Sequence, residues 1–150
     1  MATILLLSGP NLNLLGEREP HFYGRTTLDE LVALARETAA KLGHELEHVQ
    51  SNHEGVLIDA IHDARGRCDA IVCNAGAFSH YAYALADALM MFDGAKVEVH
   101  LSNVSAREGW RHRSVIAPVV DGTITGLKTT GYRLAIEAAA ALVADRDTQS

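Results

Sequence analysis

The chain has 150 residues, 48% of them hydrophobic, and a formal net charge of -6. That size and apolar content suit a single domain with a substantial core. The acidic balance, with no dense Lys/Arg cluster, argues against nucleic acid as a partner, and no apolar run reaches the roughly 18 residues of a membrane span. The N-terminus opens on a short apolar run with no signal-peptide pattern, so the expected location is the cytoplasm. Cys68 and Cys73 lack CxxC spacing and read as reduced, buried thiols. His44 and His48 fall on either side of a helix end, so no metal site is expected.

Residues 3–8 form the first predicted strand, a continuously apolar run of the kind covered on both faces. The next stretch, residues 8–25, is too long for an ordinary βα connection, which takes about 2–6 residues. It carries Gly9, Pro10, Asn11, Gly16, Arg18, Pro20, Tyr23 and Arg25. Its glycines and prolines fix bends, so it reads as an ordered loop holding a tyrosine beside two arginines. Thr27-Leu28-Asp29-Glu30 matches a capping box and opens a helix through Leu31, Leu34, Ala35 and Leu42 that stops at Gly43. A weaker, edge-like strand follows at 45–50, a helix at 54–65, a third strand at 69–73, and an Ala-rich helix from 79 to 92. The fourth strand covers 96–101 and leads into a polar loop with a helical turn. The fifth covers 119–125, and a last helix spans 130–143 before a polar, disordered tail after Ala144.

Strands alternating with helices imply an α/β domain: a flavodoxin-like three-layer sandwich, with a five-stranded parallel sheet of order 2-1-3-4-5 and helices on both faces. Ligands of such folds sit beyond the carboxyl ends of the strands, at the switch between the first and third. The chemically capable residues gather there. Asn11, Arg18 and Tyr23 follow the first strand, and Asn74, Gly76 and His80 follow the third. Glu98, His100, Leu101 and Ser102 lie along the fourth and its end, with Arg107 and Arg111 in the loop beyond.

Glu98, His100 and Ser102 share one face of that strand, and Val97, Val99 and Leu101 the other. A central parallel strand is normally apolar on both faces, so an acid and a histidine there need partners. Glu98 can orient His100 and hold it protonated as a general acid; a satisfied core Glu–His pair is the plainer alternative. A Ser/His/Glu triad through Ser102 lacks a nucleophile elbow. Asn74-Ala75-Gly76, ahead of a helix start, supplies backbone N–H groups for an anion. No GxGxxG follows the first strand and there is no P-loop lysine, which disfavours dinucleotides and ATP.

The motifs that carry a resemblance are spread over nearly the whole chain. They are Ser8 to Gly16, Arg18-Glu19-Pro20, Tyr23-Gly24, Gln50-Ser51-Asn52, Asn74-Ala75-Gly76, Ser79-His80, Glu98 to Asn103 and Arg107-Glu108. In this order they resemble the type II dehydroquinases of the shikimate and quinate pathways. The resemblance implies a hydro-lyase that converts 3-dehydroquinate to 3-dehydroshikimate by anti elimination through an enolate, with no cofactor. On it, Tyr23 removes the proton next to the ketone and Arg18 holds Tyr23 ionised. Asn11 positions a water on the enolate oxygen, and His100, oriented by Glu98, protonates the departing hydroxyl. Asn74, the backbone of Leu101 and Ser102 would hold the substrate carboxylate, and His80 and Arg111 the ring hydroxyls. Asp87 would reach a neighbouring subunit's site in a dodecamer built as a tetramer of trimers, whereas helical spacing alone turns it to water.

An unassisted tyrosine titrates near pH 10, so one acting as a base near neutrality needs cations beside it. Arg18 and Arg25 are the ones the loop offers. The chain departs from the family's common pattern at Ala77-Phe78-Ser79, at Trp110 to Arg113 and at Lys128, none of which touches the expected acid or base. The alternative function is a non-catalytic flavodoxin-like module for a small anion or a flavin, which would not need Arg18, Tyr23, Glu98 and His100 to converge.

Overall fold

The computed structural model describes residues 1–149. Strands β1 (Thr3–Ser8), β2 (Glu45–Gln50), β3 (Ala70–Asn74), β4 (Ala95–His100) and β5 (Gly122–Thr125) pair in parallel, in the order β2-β1-β3-β4-β5. The helices are α1 (Pro20–Tyr23), α2 (Leu28–Lys41), α3 (Glu54–Ala64), α4 (Tyr83–Met90) and α5 (Lys128–Gln149). The core of one sheet face is closed by α2 and α5, that of the other by α3 and α4. This is the doubly wound sandwich implied by the sequence, with β2 at an edge.

The continuous apolar runs are explained by the two cores. Ile4 and Leu6 of β1 enter the α2/α5 side, and Leu5 and Leu7 the α3/α4 side. Each such buried side chain contributes about 1.5–3 kcal/mol. On β4, Val97 and Val99 pack beneath α5, while Glu98 and His100 alternate to the opposite face. On that face the segment around Ser114, Val115 and Ile116 adds apolar cover, and the Ser114 hydroxyl donates to the Glu98 carboxylate.

The capping box opens α2 as expected. Glu30 N–H donates to Thr27 Oγ1 at 3.2 Å, and the Glu30 carboxylate accepts from Thr27 N–H at 3.4 Å.

The Ala-rich helix is not continuous. A 3-10 turn at Gly76–His80 precedes α4, with Tyr81 at φ -152 between them. Two long-range contacts cause the break. The Ser79 carbonyl accepts from Val115 N–H at 2.7 Å instead of from the next turn, and the Glu54 carboxylate accepts from Leu85 N–H at 3.2 Å, giving α4 its own start. β5 begins later than expected because residues 117–119 form a 3-10 turn containing Pro118, which has no N–H for a ladder. The polar residues after Ala144 continue α5, where Arg146 hydrogen-bonds the Asp93 carbonyl and pairs with Asp121 at 3.6 Å. Both cysteines are free and buried, and burial pushes the Cys73 thiol well up. Among the described residues no helix is long and apolar enough to cross a membrane.

Candidate active site

The site begins where the ends of β1 and β3 meet. A Cβ on Gly9 would lie 2.2 Å from the Ala75 carbonyl oxygen, so only glycine lets these two turns touch. Asn11 follows in the left-handed region at φ 67. Its N–H donates to Asn52 Oδ1 at 2.9 Å, while Gln50 donates to the Gly9 carbonyl at 3.1 Å, so the end of β2 braces the loop. The long connection has structure of its own: a 3-10 turn at Leu12–Leu14, with Leu12 and Leu15 buried, and then α1, which lays Phe22 and Tyr23 back over the strand ends.

A cavity of about 210 Å³ lies beneath α1. Of the residues expected from the sequence, Asn11, Arg18, Tyr23, Asn74, His80, His100, Leu101, Ser102 and Arg111 line it. Glu98 is fully buried behind His100. Asp87 is exposed on α4 and does not line the cavity.

One wall is a phenol between guanidinium groups. Arg18 Nη2 donates to the Tyr23 oxygen at 3.0 Å and Arg107 Nη1 at 2.6 Å. The Arg18 guanidinium also lies 4.2 Å from the Tyr23 ring centre. Arg107 reaches Ser102 Oγ at 3.3 Å and stacks 4.1 Å above the Phe22 ring. The second cation is therefore Arg107 and not Arg25, which is exposed and lines a separate cavity with Asp29 and His48. Gly24, at φ +76, turns the chain so that residues 23 and 25 face different ways.

The other wall is a pair of imidazoles. Glu98 accepts from His100 Nε2 at 2.7 Å, from Ser114 Oγ at 2.8 Å and from Thr123 Oγ1 at 3.4 Å. A carboxylate only accepts, so Nε2 carries a proton. His80 Nδ1 donates to the Arg113 carbonyl at 2.8 Å, and its ring lies 6.3 Å from that of His100, nearly parallel. Burial pushes the His80 imidazole below its ordinary value, against the opposing effect of that carbonyl. Asn74 joins β3 to α5: its amide donates to the Tyr132 hydroxyl at 2.8 Å and accepts from Gly76 N–H at 3.1 Å. Arg111 is held by Glu108 at 3.0 Å and by the Trp110 ring at 4.0 Å.

Sequence reasoning left the part of Arg107 open and missed Phe22, on which Arg107 stacks, and Trp110, which lines the cavity. Arg107 had a signal in its place after the fourth strand, but nothing in the spacing aimed it at Tyr23. The arrangement offers proton transfer, with a group suited to accept a proton at one wall and one suited to give it at the other.

The sheet order and the helices around it define an α/β protein of flavodoxin-like architecture, with a polar cavity at the carboxyl ends of its strands. The family model for Dehydroquinase class II matches residues 2–140, and the chain belongs to that family. It is 57% identical over 136 residues to a 3-dehydroquinate dehydratase of Bacillus licheniformis, covering 91% of this chain and 94% of the relative. It is 54% identical over 137 residues to the catabolic 3-dehydroquinase 2 of Aspergillus flavus, covering 91% of each. The crystal structure of the type II dehydroquinase from Propionibacterium acnes superposes with a TM-score of 0.90 at 44% identity, covering 94% of this chain and 97% of that one.

Proposed function

We propose that this protein dehydrates 3-dehydroquinate to 3-dehydroshikimate by anti elimination through an enolate. One observation carries the reading: the Tyr23 oxygen, between two guanidinium groups, lines the same cavity as the carboxylate-paired His100. Tyr23, as phenolate, takes the proton next to the ketone, and the C–H electron pair moves into the enolate. Arg18 and Arg107 compensate the charge that the phenolate carries. Asn11 positions the water that stabilises the enolate oxygen. The enolate then collapses, the C1–O bond breaks, and His100 gives the proton of its Nδ1, the ring nitrogen that Glu98 does not engage, to the leaving hydroxyl, which departs as water. Glu98 orients His100 throughout; solvent returns one proton to His100 and takes one from Tyr23.

Asn74, the backbone at Leu101 and Ser102 hold the substrate carboxylate, and His80 and Arg111 the ring hydroxyls. The small, polar cavity supports a compact polyhydroxylated ring over a flavin. The working unit is a symmetric oligomer, a dodecamer built as a tetramer of trimers, in which Asp87 contributes to a neighbour's site. Supporting this, Asp87 stands among exposed apolar side chains, Tyr83 at 62% and Met90 at 61% exposure, which a second copy would cover.

The test is an absorbance assay for the conjugated enone product, run in chelator. Purified protein is expected to turn over 3-dehydroquinate without added metal or organic cofactor. No signal at any protein concentration overturns the assignment.

A further inference from the structure

We propose that Lys128 is a latch that fixes the segment of residues 17–24 lying over the cavity, called the lid below, and so positions Tyr23 without touching substrate. Lys128 stands at the first position of α5 with φ +51, in the left-handed region that disfavours any residue bearing a Cβ. Its N–H donates to the Leu101 carbonyl at 3.0 Å, so the backbone there is held by the end of β4. Glycine would satisfy that conformation at no steric cost. A lysine in its place carries backbone strain, and strain of this kind points to a use for the side chain.

That use is visible in the contacts of the amino group. Lys128 Nζ reaches the His21 carbonyl at 3.3 Å and the Phe22 carbonyl at 3.2 Å, across more than a hundred residues of chain. These carbonyls belong to the last residues of α1, where a helix has no following turn to accept from them. A cation is the complement that a helix carboxyl end favours. Lys128 therefore completes the one-turn helix that carries Tyr23.

Two cations hold the lid, in different ways. Arg107 grips it from within, through the Tyr23 hydroxyl and the Phe22 ring, and shares in the chemistry. Lys128 is exposed, does not line the cavity, and holds main-chain atoms only. It is a positioning residue. Its effect on turnover rests on the function proposed above; its effect on the lid does not.

The test compares wild type with Lys128→Gly, which removes the amino group and relieves the left-handed strain, and with Lys128→Arg, which keeps a cationic donor. Hydrogen exchange is read at the lid amides of Phe22, Tyr23 and Gly24, which bond the Glu19 and Pro20 carbonyls, with the β1 amides as internal reference. Lys128→Gly is expected to exchange at the lid about fivefold faster, as loss of one ordinary net hydrogen bond by an exposed group implies, with β1 unchanged. Lys128→Arg is expected to keep the wild-type lid rate. With 3-dehydroquinate, KM should rise in Lys128→Gly while kcat holds, because contacts with bound substrate would hold the segment in place at saturation. Wild-type lid exchange in Lys128→Gly overturns the latch, as does an Arg variant whose lid exchanges as fast as the Gly variant's. An inactive wild type would instead overturn the dehydratase reading and leave the exchange result standing.

Discussion

Arg107 donates to the Tyr23 phenolic oxygen at 2.6 Å, closer than Arg18, although it stands 84 positions further along the chain. The Arg107 side chain is only 3% exposed, and its Nε lies 3.6 Å from the Glu108 carboxylate without a hydrogen bond. Burying a cation is costly unless negative charge or good acceptors surround it. Glu19 and Glu108 stand at 3.9 and 3.6 Å and are half exposed, so the acceptor closest to the guanidinium is the phenol itself. The Tyr23 hydroxyl is thus the nearest acceptor that the buried guanidinium has.

Tyr23→Phe should lower kcat by at least about a thousandfold, in the range of a positioned base, while substrate affinity stays within a few-fold. Steady-state kinetics and titration calorimetry check the two halves. Near-wild-type kcat would move the base elsewhere.

Arg107→Gln should lower kcat/KM by about a hundredfold, and Arg107→Lys should restore only part of it, because the ring stacking and the forked donors are lost. Arg25→Ala, outside the cavity, should stay within about twofold of wild type. Equal losses at 107 and 25 would refute the assignment of the second cation.

His48 governs part of the acid stability. Its Nε2 hydrogen-bonds Ser8 Oγ at 3.0 Å, and burial, then Arg36, hold its imidazole below the ordinary value of 6.5. The folded protein keeps this ring neutral while the unfolded chain protonates it, so the unfolded state binds more protons. The contribution is complete above about pH 6.5 and is lost as pH falls from there toward the folded value. Urea melts across that window should show stability falling with acid, and His48→Gln should flatten the slope. An unchanged slope would assign the effect to another group, such as His80, whose shift has the same sign.

Asp87→Ala should raise KM several-fold with little change in melting temperature, since the side chain is exposed in the single chain. Light scattering should give a multiple of the 16.1 kDa protomer. Specific activity should fall on dilution only where the assembly dissociates. A monomer fully active at nanomolar concentration would refute the shared site.

What could be read from the chain was what depends on local period and burial. β1 declared itself because both of its faces are buried, and β4 because alternation alone puts Glu98 and His100 on one side. The capping box at Thr27 is a local device and appears as written. What escaped reading depends on contacts far apart in sequence. The break before α4 is set by Glu54 and Val115, and the aim of Arg107 by a lid some eighty residues earlier. Arg25 misled because nearness in sequence was taken for nearness in space; the turn at Gly24 separates it from Tyr23.

The contact between Gly9 and Ala75 has a consequence for mutational tolerance. Two main chains touch there, next to the cavity-lining Pro10, Asn74 and Gly76, with no functional group involved. In a saturation scan, every substitution at position 9, alanine included, should abolish turnover as thoroughly as loss of Tyr23, because the obstructing atom is a backbone oxygen that has nowhere to go. Some of the least replaceable positions of this protein are therefore ones that a search for reactive side chains would pass over.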